Sequence, residues 1–420
     1  MNEFDLAVIG LGYVGMPLAK EATAAGLRVV GYDVDPVKVD TLNSGRSYVD
    51  DLTDADVDRM LQGGFTATLD ESVLAKSETI VICVPTPLDE ERRPDLSAVE
   101  GATKTVARNL TTGTLVVLES TTWPGTTDEV VRPLLESSGF VAGRDFHLAF
   151  SPERIDPGNP KYGLRNTPKV VGGYTLACRD RASAFYSRFV EQIVPVSGTR
   201  EAEMAKLLEN TYRHVNIALV NEMAIFCDEL GVDLWEAIEA ASTKPFGFQK
   251  FLPGPGVGGH CIPVDPSYLS YTVRKLGYPF RFVELAQEIN ERMPAYVVAR
   301  VQRLLNRHKK AVNGSRVLLL GVTYKPDIAD ERETPAVPIA RRLRELGAEV
   351  VYADPYVKDW RVDGVAVPRE EDLERAVVEA DVTLLLQQHA AFDLGLVEER
   401  ARLVLDTRGV LADGDRVERL

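Results

Sequence analysis

The sequence predicts an α/β protein in which two doubly wound domains are joined by a central helical region with a long connecting helix. Short apolar runs alternate with helical patterns at the N-terminus, long helical periodicities fill the middle, and strand and helix patterns alternate again near the C-terminus. Such alternation is typical of parallel sheets covered by helices on both faces. We therefore predict three domains, at residues 1–200, 201–308 and 309–420.

The N-terminal third contains the apolar runs expected of buried parallel strands. We predict strands at residues 6–9, 29–32, 79–84, 115–118 and 146–150. Runs of this length that are rich in Val, Ile and Leu are typical of strands that are buried on both faces.

The middle of the chain is predicted to be helical, because its periodic segments are long and β-branched runs are missing. One helix should run from about residue 201 toward residue 230, and another from residue 283 to about residue 307. After residue 308, the alternation of short strands with helices returns. Strands are predicted at residues 315–321, 349–354, 382–386 and 403–406, with a helix at residues 336–346.

Composition and charge exclude several classes of protein. The chain has 420 residues with 45% hydrophobic and 26% charged side chains, which favours compact domains over disorder. Its 48 basic residues against 63 acidic ones give a formal charge of −15, which disfavours nucleic acid and anionic membranes as partners. No apolar run is long enough to span a bilayer, and the first residues are acidic where a signal peptide would be basic. These features predict a cytoplasmic protein.

A glycine-rich motif, GLGYVG, follows the first predicted strand and precedes a helix. Gly10, Gly12 and Gly15 occupy the positions that permit a tight turn, close approach to a pyrophosphate, and helix–strand packing in a Rossmann-like domain. Asp33 ends the second strand, where a carboxylate accepts hydrogen bonds from an adenosine ribose and repels a 2′-phosphate. The motif therefore predicts NAD binding. Lys38 is either a phosphate contact or a solvated lysine.

The four cysteines fit neither a disulfide framework nor a zinc site, because no two of them form a CxxC pair. Cys83 and Cys227 lie in apolar patterns and are predicted to be buried, while the sequence leaves Cys178 undecided. Cys261 follows a run of glycines and prolines, which places it on a stiff loop and makes it the candidate nucleophile. A Cys/His dyad or a metal site with His260 is disfavoured, and we predict no metal.

Further polar residues accompany this cysteine. Lys206 and Asn210 are four residues apart on a predicted helix and therefore share one face. Asp265 lies four residues after Cys261. Glu153 and Thr121 follow predicted strands, at the sheet edge where open α/β sheets bind their ligands.

Together these segments resemble the nucleotide-sugar 6-dehydrogenase family, which comprises UDP-glucose, UDP-N-acetylhexosamine and GDP-mannose dehydrogenases. The motifs, in family order, are GLGYVG, STTWPG, SPERIDPGN, AKLLENTYR, PGPGVGGHCIPVDP and YKPDIADERETPA. The resemblance covers essentially the whole chain, and the stretch TKPFGFQKFLPGPGVGGHCIP is most similar to the UDP-N-acetylglucosamine and UDP-N-acetylmannosamine enzymes.

The resemblance implies oxidation of a sugar C6 alcohol to a carboxylate with two NAD molecules, through a thiohemiacetal and a thioester on Cys261. It implies that Lys206 and Asn210 stabilise negative charge on oxygen and that Asp265 positions a water molecule or the lysine. Glu153 would act as an acid or base during hydrolysis, with Thr121 holding the water.

The resemblance also implies two sets of binding residues. The NAD set is Gly10, Gly12, Tyr13, Val14, Gly15, Asp33, Lys38, Pro85, Thr86, Thr121 and Arg332. The UDP-sugar set is Glu153, Arg154, Lys206, Asn210, Phe251, Gly254, Gly258 and Lys325.

Two departures from the family pattern affect the sugar contacts. The second glutamate that some relatives carry after Glu153 is replaced by the run IDPGN, which leaves Asp156 as a substitute. The arginine that often precedes the glycine-rich loop is missing, and Lys244 or Lys250 would take its place.

The resemblance implies a homodimer formed through the central helices, whose alternative is a purely intramolecular spacer. Three other functions remain open. The first is a UDP-glucose 6-dehydrogenase, the second a β-hydroxyacid-type dehydrogenase that transfers one hydride, and the third a non-catalytic NAD-binding sensor whose Cys261 responds to oxidants.

Overall fold

The structure, a computed structural model, describes most of the chain and divides it into two compact units. Unit 1 comprises Met1–Glu209 and Ser267–Leu276, and unit 2 comprises Asn210–Pro266 and Gly277–Leu420. The division into three domains stays a prediction. The described residues are 2–49, 52–89, 93–156, 159, 161–259 and 264–420.

Unit 1 is built on a sheet that has eight strands within the described residues. These are β1 (Phe4–Ile9), β2 (Val29–Tyr32), β3 (Thr66–Thr68), β4 (Ser77–Ile82), β5 (Leu115–Leu118), β6 (His147–Phe150), β7 (Lys169–Gly173) and β8 (Ile193–Pro195). Their spatial order is β3-β2-β1-β4-β5-β6-β7-β8. All neighbours pair in parallel except β6 and β7, which are antiparallel. The five predicted strands of this sheet are confirmed to within two residues at their ends.

The helices of unit 1 lie between these strands, as a doubly wound fold requires. They are α1 (Gly15–Ala24), α2 (Pro36–Asn43), α3 (Asp54–Gln62), α4 (Ser97–Asn109), α5 (Arg132–Glu136) and α6 (Leu176–Tyr186), with a 3₁₀ helix at Glu71–Lys76 and a π-helical turn at Thr127–Val131. Local capping fixes their starts: the Asp35 side chain accepts from Val37 N ahead of α2, and Thr53 forms a reciprocal capping box with Asp56 in α3.

The middle of the chain is helical, as predicted. Its helices are α7 (Thr199–Leu230), α8 (Leu234–Ser242), α9 (Asp265–Lys275) and α10 (Arg281–Arg307). The two long predicted helices correspond to α7, with 32 residues, and α10, with 27. Across the described part of the chain, no helix has the combination of length and apolar character that crossing a membrane demands.

Unit 2 contains a second parallel sheet, with five strands in the described residues and the order β10-β9-β13-β14-β15. Its strands are β9 (Arg316–Leu320), β10 (Glu349–Ala353), β13 (Val382–Leu385), β14 (Val404–Asp406) and β15 (Val417–Arg419), and a small antiparallel pair is formed by β11 (Arg361–Val362) and β12 (Val365–Ala366). The helices here are α11 (Ala336–Glu345), α12 (Leu373–Glu379) and α13 (Leu394–Arg400). The predicted second domain of this fold class is confirmed.

The two sheets repeat one local geometry. In unit 1, Leu11 N donates to Asp33 Oδ2 at 2.8 Å, so the carboxylate that ends β2 holds the turn after β1. In unit 2, Val322 N donates to Asp354 Oδ2 at the same distance, where Asp354 follows β10 and Val322 follows β9. The similarity of the two strand–helix–strand patterns, inferred from sequence, therefore extends to their hydrogen bonds.

A buried histidine on α7 gives unit 2 a pH-dependent stability. His214 is 1% exposed, and this burial lowers its pKa to about 4, with a smaller opposing effect of Glu291. In the unfolded chain a histidine titrates near ~6.5. As the pH falls below that value, the unfolded chain therefore binds a proton that the folded protein does not.

Because of this histidine, we expect the free energy of unfolding to fall by about 2 kcal/mol when the pH is lowered from about 7 to about 5. Urea denaturation of the wild type and of His214→Phe at both pH values measures it, since other titrating groups cancel in the comparison. Equal losses of stability in the two proteins would show that His214 titrates normally.

Candidate active site

The three glycines of the motif in unit 1 have different surroundings. Gly10 has a φ of +89°, and a Cβ there would lie 2.6 Å from the Cys83 carbonyl oxygen. A Cβ on Gly15 would lie 2.0 Å from the Gly10 carbonyl oxygen, so glycine is needed where α1 begins. A Cβ on Gly12 would meet nothing within 4 Å, which leaves the backbone open to a ligand. Turn, packing and open approach are the three properties that a pyrophosphate-binding loop needs, and the loop therefore fits NAD.

Asp33 lies buried after β2 and is held by the protein. Its Oδ2 accepts from Leu11 N, and its Oδ1 accepts from Asp35 N at 3.0 Å. Lys38 Nζ lies 3.5 Å from Asp33 Oδ2, which gives this lysine an ion-pair partner within the protein, and its contact with a phosphate stays a prediction. The ribose contact of Asp33 stays a prediction.

We expect Asp33→Ala to raise KM for NAD by ~10-fold or more while KM for the sugar nucleotide changes little, because the predicted ligand contact of this carboxylate is with the ribose of NAD. Asp33→Asn is the matched control, since its amide oxygen can still accept from Leu11 N. Steady-state kinetics with each substrate varied in turn measures both constants. Equal increases in the two constants would contradict the ribose role.

The other predicted NAD residues of unit 1 lie around the same sheet edge. Tyr13 is exposed and Val14 half-buried within the glycine-rich turn. Pro85 is exposed after β4, and the neighbouring Thr86 is buried, with its carbonyl oxygen accepting from Tyr268 OH at 2.8 Å. Their contacts with NAD stay predictions.

Glu153 and Lys206 meet in unit 1. Lys206 is 8% exposed, and its Nζ donates to the Glu153 carbonyl oxygen at 2.6 Å. The Glu153 carboxylate accepts from Ile155 N through Oε1 at 2.5 Å, while its buried Oε2 has no hydrogen-bond partner among the described residues. The lysine ammonium thus contacts the backbone of the residue after β6 whose carboxylate is held by Ile155 N, and an ammonium and a carboxylate are groups that can hold charge and move a proton.

Arg154 and Asp156, next to Glu153, have partners within the protein. Arg154 donates to the Pro168 carbonyl oxygen at 2.6 Å and pairs with Glu209 at 2.7 Å. Asp156 Oδ2 accepts from Asn159 Nδ2 at 3.2 Å. A role of either residue in sugar binding stays a prediction.

A glutamate that the sequence analysis did not single out ties α7 to the loop after β5. The buried Glu203 carboxylate accepts from Gly125 N at 2.5 Å, from Thr127 N at 2.9 Å and from Thr127 Oγ1 at 2.7 Å. Its burial raises the pKa of Glu203 to about 7. The half-buried Thr121 belongs to the same loop, so Glu203 fixes the segment that carries it. Its position three residues before Lys206, on the same helix face, is the sequence signal that could have identified it.

A second unpredicted group joins the ends of β5 and β6. The buried Lys169 Nζ lies 3.1 Å from Glu119 Oε1 and 3.4 Å from the Pro152 carbonyl oxygen, and Tyr186 OH donates to Glu119. Burial raises the pKa of Glu119, although Lys169 opposes this shift. These buried contacts therefore fix the ends of β5 and β6, where the loops that carry Thr121 and Glu153 begin.

In unit 2, Asn210 and Asp265 form a close pair. Asn210 Nδ2 donates to Asp265 Oδ2 at 2.5 Å, and Asp265 is 1% exposed at the start of α9. The sequence analysis predicted a separate role for each of these residues, which lie 55 positions apart, and the structure brings them into contact. The positioning of a water molecule or of Lys206 by Asp265 stays a prediction. Cys261 lies outside the described residues.

The other three cysteines lie in apolar interiors. Cys83 and Cys227 are buried, as predicted, and Cys178, which the sequence left undecided, is buried in the first turn of α6. Burial raises the pKa of the Cys83 thiol well above its usual range, which disfavours the reactive thiolate.

The glycine-rich segment before Cys261 packs closely in unit 2. A Cβ on Gly258 would lie 2.6 Å from Tyr324 Cβ, and Gly259, with a φ of +85°, donates from its N to the Arg332 carbonyl oxygen at 3.0 Å. Phe251 stacks edge-on against Tyr212 with a centroid separation of 5.8 Å. The glycines are therefore required for this loop to lie against its neighbours.

Four predicted basic residues of unit 2 have contacts within the protein. The Arg332 side chain forms three hydrogen bonds to the Asp330 carboxylate. The half-buried Lys325 accepts from Thr323 Oγ1 at its backbone carbonyl oxygen. Lys250 pairs with Glu239, and Lys244 lies over the ring of Phe246. Their contacts with cofactor or sugar stay predictions.

A cavity of about 450 Å³ lies at the carboxyl end of the sheet in unit 2. Its lining includes Leu252 and Pro253 of the glycine-rich segment, Pro326, Gln387 and Arg408. Arg408 Nε donates to the Leu386 carbonyl oxygen at 2.6 Å, and neither of its Nη atoms has an acceptor among the described residues. Sequence analysis did not single out Arg408. Its place after the predicted strand at residues 403–406 is shared with other strand-end residues, so the sequence carries no signal that is specific to Arg408.

Three consecutive family models match the chain. The NAD binding domain of the UDP-glucose/GDP-mannose dehydrogenase family matches residues 4–190, the central domain of that family matches residues 200–292, and its UDP binding domain matches residues 318–413. The family and the NAD cofactor predicted from the sequence are confirmed.

Individual proteins are similar over nearly the whole chain. The UDP-N-acetyl-D-mannosamine dehydrogenase of Yersinia pestis is 34% identical over 98% of this chain and 100% of its own. The UDP-N-acetyl-D-glucosamine 6-dehydrogenase of Pseudomonas aeruginosa is 36% identical over 85% of this chain and 84% of its own. The solved structure of a UDP-D-ManNAc dehydrogenase from Pyrococcus horikoshii has a TM-score of 0.89 at 33% identity, and the match covers 99% of this chain and 98% of that one. The chain therefore belongs to the UDP-glucose/GDP-mannose dehydrogenase family of NAD-dependent oxidoreductases.

Proposed function

We propose that the protein oxidises the C6 hydroxyl of UDP-N-acetylglucosamine or UDP-N-acetylmannosamine to the carboxylate. The observation that carries this proposal is the similarity over nearly the full length to enzymes that are named for these two sugars. UDP-glucose is the less favoured substrate, and a single-hydride dehydrogenase is disfavoured by the match to a UDP binding domain at residues 318–413. A cytoplasmic location stays a prediction.

The reaction balances with residues of this chain and two equivalents of NAD. NAD, when bound, supplies the hydride acceptor for both oxidations. Loss of a hydride from C6 and of the hydroxyl proton first converts the alcohol into the aldehyde. The Cys261 thiolate adds to this aldehyde and forms a carbon–sulfur bond while the oxygen takes up a proton, which gives a thiohemiacetal. Loss of a hydride and a proton converts this adduct into a thioester, and water then breaks the carbon–sulfur bond to release the carboxylate and the thiol.

Lys206 and Asn210 are proposed to stabilise negative charge on the C6 oxygen, and Asp265 to orient Asn210. Support comes from the burial of Lys206 and Asp265 and from the short bond between Asn210 and Asp265. Glu153 is proposed to move the proton of the hydrolytic water, which is consistent with a buried Oε2 that has no partner among the described residues.

The cavity of unit 2 is the proposed site for the UDP part of the substrate. It lies at the carboxyl ends of parallel strands, where α/β sheets bind ligands, and Pro326, Gln387 and Arg408 of its lining belong to the stretch that matches a UDP binding domain. A diphosphate is an anion that a guanidinium binds well, and the Nη atoms of Arg408 have no acceptor in the described part of the chain.

A homodimer is proposed to form through α7. Leu219, Phe226 and Leu230 are large apolar residues on one face of this helix, and they are 53%, 44% and 70% exposed. Burial against a second copy would remove this surface from water. Analytical ultracentrifugation should give a dimer for the wild type and a monomer for Leu219→Glu/Phe226→Glu, whereas a monomeric wild type would contradict the proposal.

The substrate is tested by measuring NADH release with a panel of nucleotide sugars. UDP-N-acetylglucosamine or UDP-N-acetylmannosamine should give the highest kcat/KM, and UDP-glucose and GDP-mannose should react at least ~10-fold more slowly. Preferential turnover of UDP-glucose would overturn the choice of sugar. No turnover of any sugar nucleotide would favour the sensor alternative.

A further inference from the structure

A chain of hydrogen-bonded polar side chains runs through the interior of unit 2 to the glycine-rich segment at residues 251–259. Asn221 on α7 is 0% exposed, and its Oδ1 accepts from Gly254 N at 2.9 Å. Its Nδ2 donates to Oδ1 of Asn290 on α10, also at 2.9 Å. Asn290 is buried as well. Burying such amides is costly unless they are bonded, so their bonds determine how the segment is held.

The direction of every bond in this chain follows from its first donor. Gly254 N can only donate, so Asn221 must present Oδ1 to it and Nδ2 to Asn290. Asn290 then turns its own Nδ2 toward His214, 3.5 Å from both the ring Nδ1 and the carbonyl oxygen. The lowered pKa of His214 agrees with this arrangement, because a neutral ring can accept at Nδ1.

The segment held by Asn221 forms part of the cavity wall. Leu252 and Pro253, which immediately precede Gly254, line the cavity together with Arg408. The contact is tight, since a Cβ on Gly254 would lie 3.3 Å from Arg408 Nη1. A shift of Gly254 would therefore change both the apolar wall and the space beside the guanidinium.

We propose that Asn221, supported by Asn290, is a positioning residue for the sugar nucleotide, because it fixes Gly254 and thereby the wall of the cavity. This inference rests on the proposed function, in which the cavity holds the UDP part of the substrate. Asn221 touches neither the substrate nor NAD in this account, so its effect is confined to KM for the sugar nucleotide and to the segment it holds.

Two substitutions of similar size separate positioning from general stability. Asn221→Leu removes the acceptor for Gly254 N and the donor to Asn290. Asn221→Asp keeps both hydrogen bonds when its carboxyl group is protonated, because the carbonyl oxygen accepts from Gly254 N and the hydroxyl donates to Asn290. Burial favours this protonated form. Asn290→Leu leaves the bond to Gly254 in place and should have a smaller effect than Asn221→Leu.

The expected result is a rise of ~10-fold in KM for the UDP-sugar in Asn221→Leu, with KM for NAD within ~2-fold of wild type. Asn221→Asp should stay within ~3-fold of wild type for both constants. A lower Tm in Asn221→Leu with an unchanged KM for the UDP-sugar would overturn the proposal, and so would equal losses in the Leu and Asp variants.

Hydrogen exchange of the whole protein tests the same contact without turnover. Amides of residues 251–259 should exchange faster in Asn221→Leu than in wild type and Asn221→Asp. Unchanged exchange in Asn221→Leu would overturn the proposal. Should the wild type oxidise no UDP-sugar, the proposed function would fail, whereas the exchange rates would still decide whether Asn221 positions the segment.

Discussion

Cys261→Ser should bind NAD and the UDP-sugar with affinities near those of wild type but lose steady turnover by at least ~10³-fold. A serine hydroxyl at neutral pH is a far weaker nucleophile than a thiolate, so the aldehyde is not captured and the second oxidation cannot proceed. Calorimetric titration measures the two affinities, and continuous NADH absorbance measures the turnover.

Cys227→Ala is the matched control for this substitution. Cys227 is buried in an apolar cluster of unit 2 and has no proposed role in the reaction, so its removal should leave kcat within ~2-fold of wild type. Undiminished production of the uronic acid by Cys261→Ser would contradict the covalent mechanism.

Lys206→Met should lower kcat by about 10²- to 10³-fold with little change in either KM, because a buried ammonium that stabilises a developing alkoxide acts mainly in the transition state. The methionine retains much of the apolar stem. It loses the hydrogen bond from Nζ to the Glu153 carbonyl oxygen, which spans 2.6 Å in the wild type. Steady-state kinetics over a range of both substrates measures the effect.

Lys206→Arg keeps the positive charge but changes its shape, so it should retain more activity than Lys206→Met while remaining below wild type. Thermal denaturation of both variants shows whether a loss of activity reflects unfolding. A kcat for Lys206→Met within ~3-fold of wild type would show that Lys206 only holds the Glu153 segment.

The fold could be predicted where apolar runs are long and continuous. The strands β2 and β5 match their predicted bounds, and the long helices α7 and α10 begin within two residues of their predicted starts. The strands β3, β8 and β15 were missed because each has three residues and at most two consecutive apolar side chains, whereas β14, also of three residues, extends a longer apolar run. The strand β7 was missed because two of its five residues are glycines. The antiparallel pairing of β6 and β7 was missed because alternation of strands and helices predicts only parallel neighbours.

The site could be predicted where chemistry is concentrated in short motifs. Gly10, Gly12 and Gly15 have the surroundings that their spacing predicted. Contacts between distant segments were missed, since nothing in the sequence joins Glu203 to Thr127, 76 positions earlier, or Lys169 to Glu119. Such pairs follow from the packing of whole elements, which local pattern does not specify.

Similarly, Arg408 carries no motif of its own, and only its position at the cavity indicates a role. The same reason applies to Asn221 and Asn290, which are not distinguished in sequence from the other amides of their helices and meet only when α7 and α10 pack. Short motifs in the sequence therefore nominate reacting groups, but they do not indicate the groups that hold those segments in place.

The amount of NADH formed per molecule of UDP-sugar consumed tests the covalent four-electron oxidation most directly. With limiting UDP-sugar and excess NAD, the protein should form two NADH for each uronic acid, and a thioester on Cys261 should be detectable by mass spectrometry after rapid acid quenching. One NADH per sugar with a free aldehyde as the product would contradict the account.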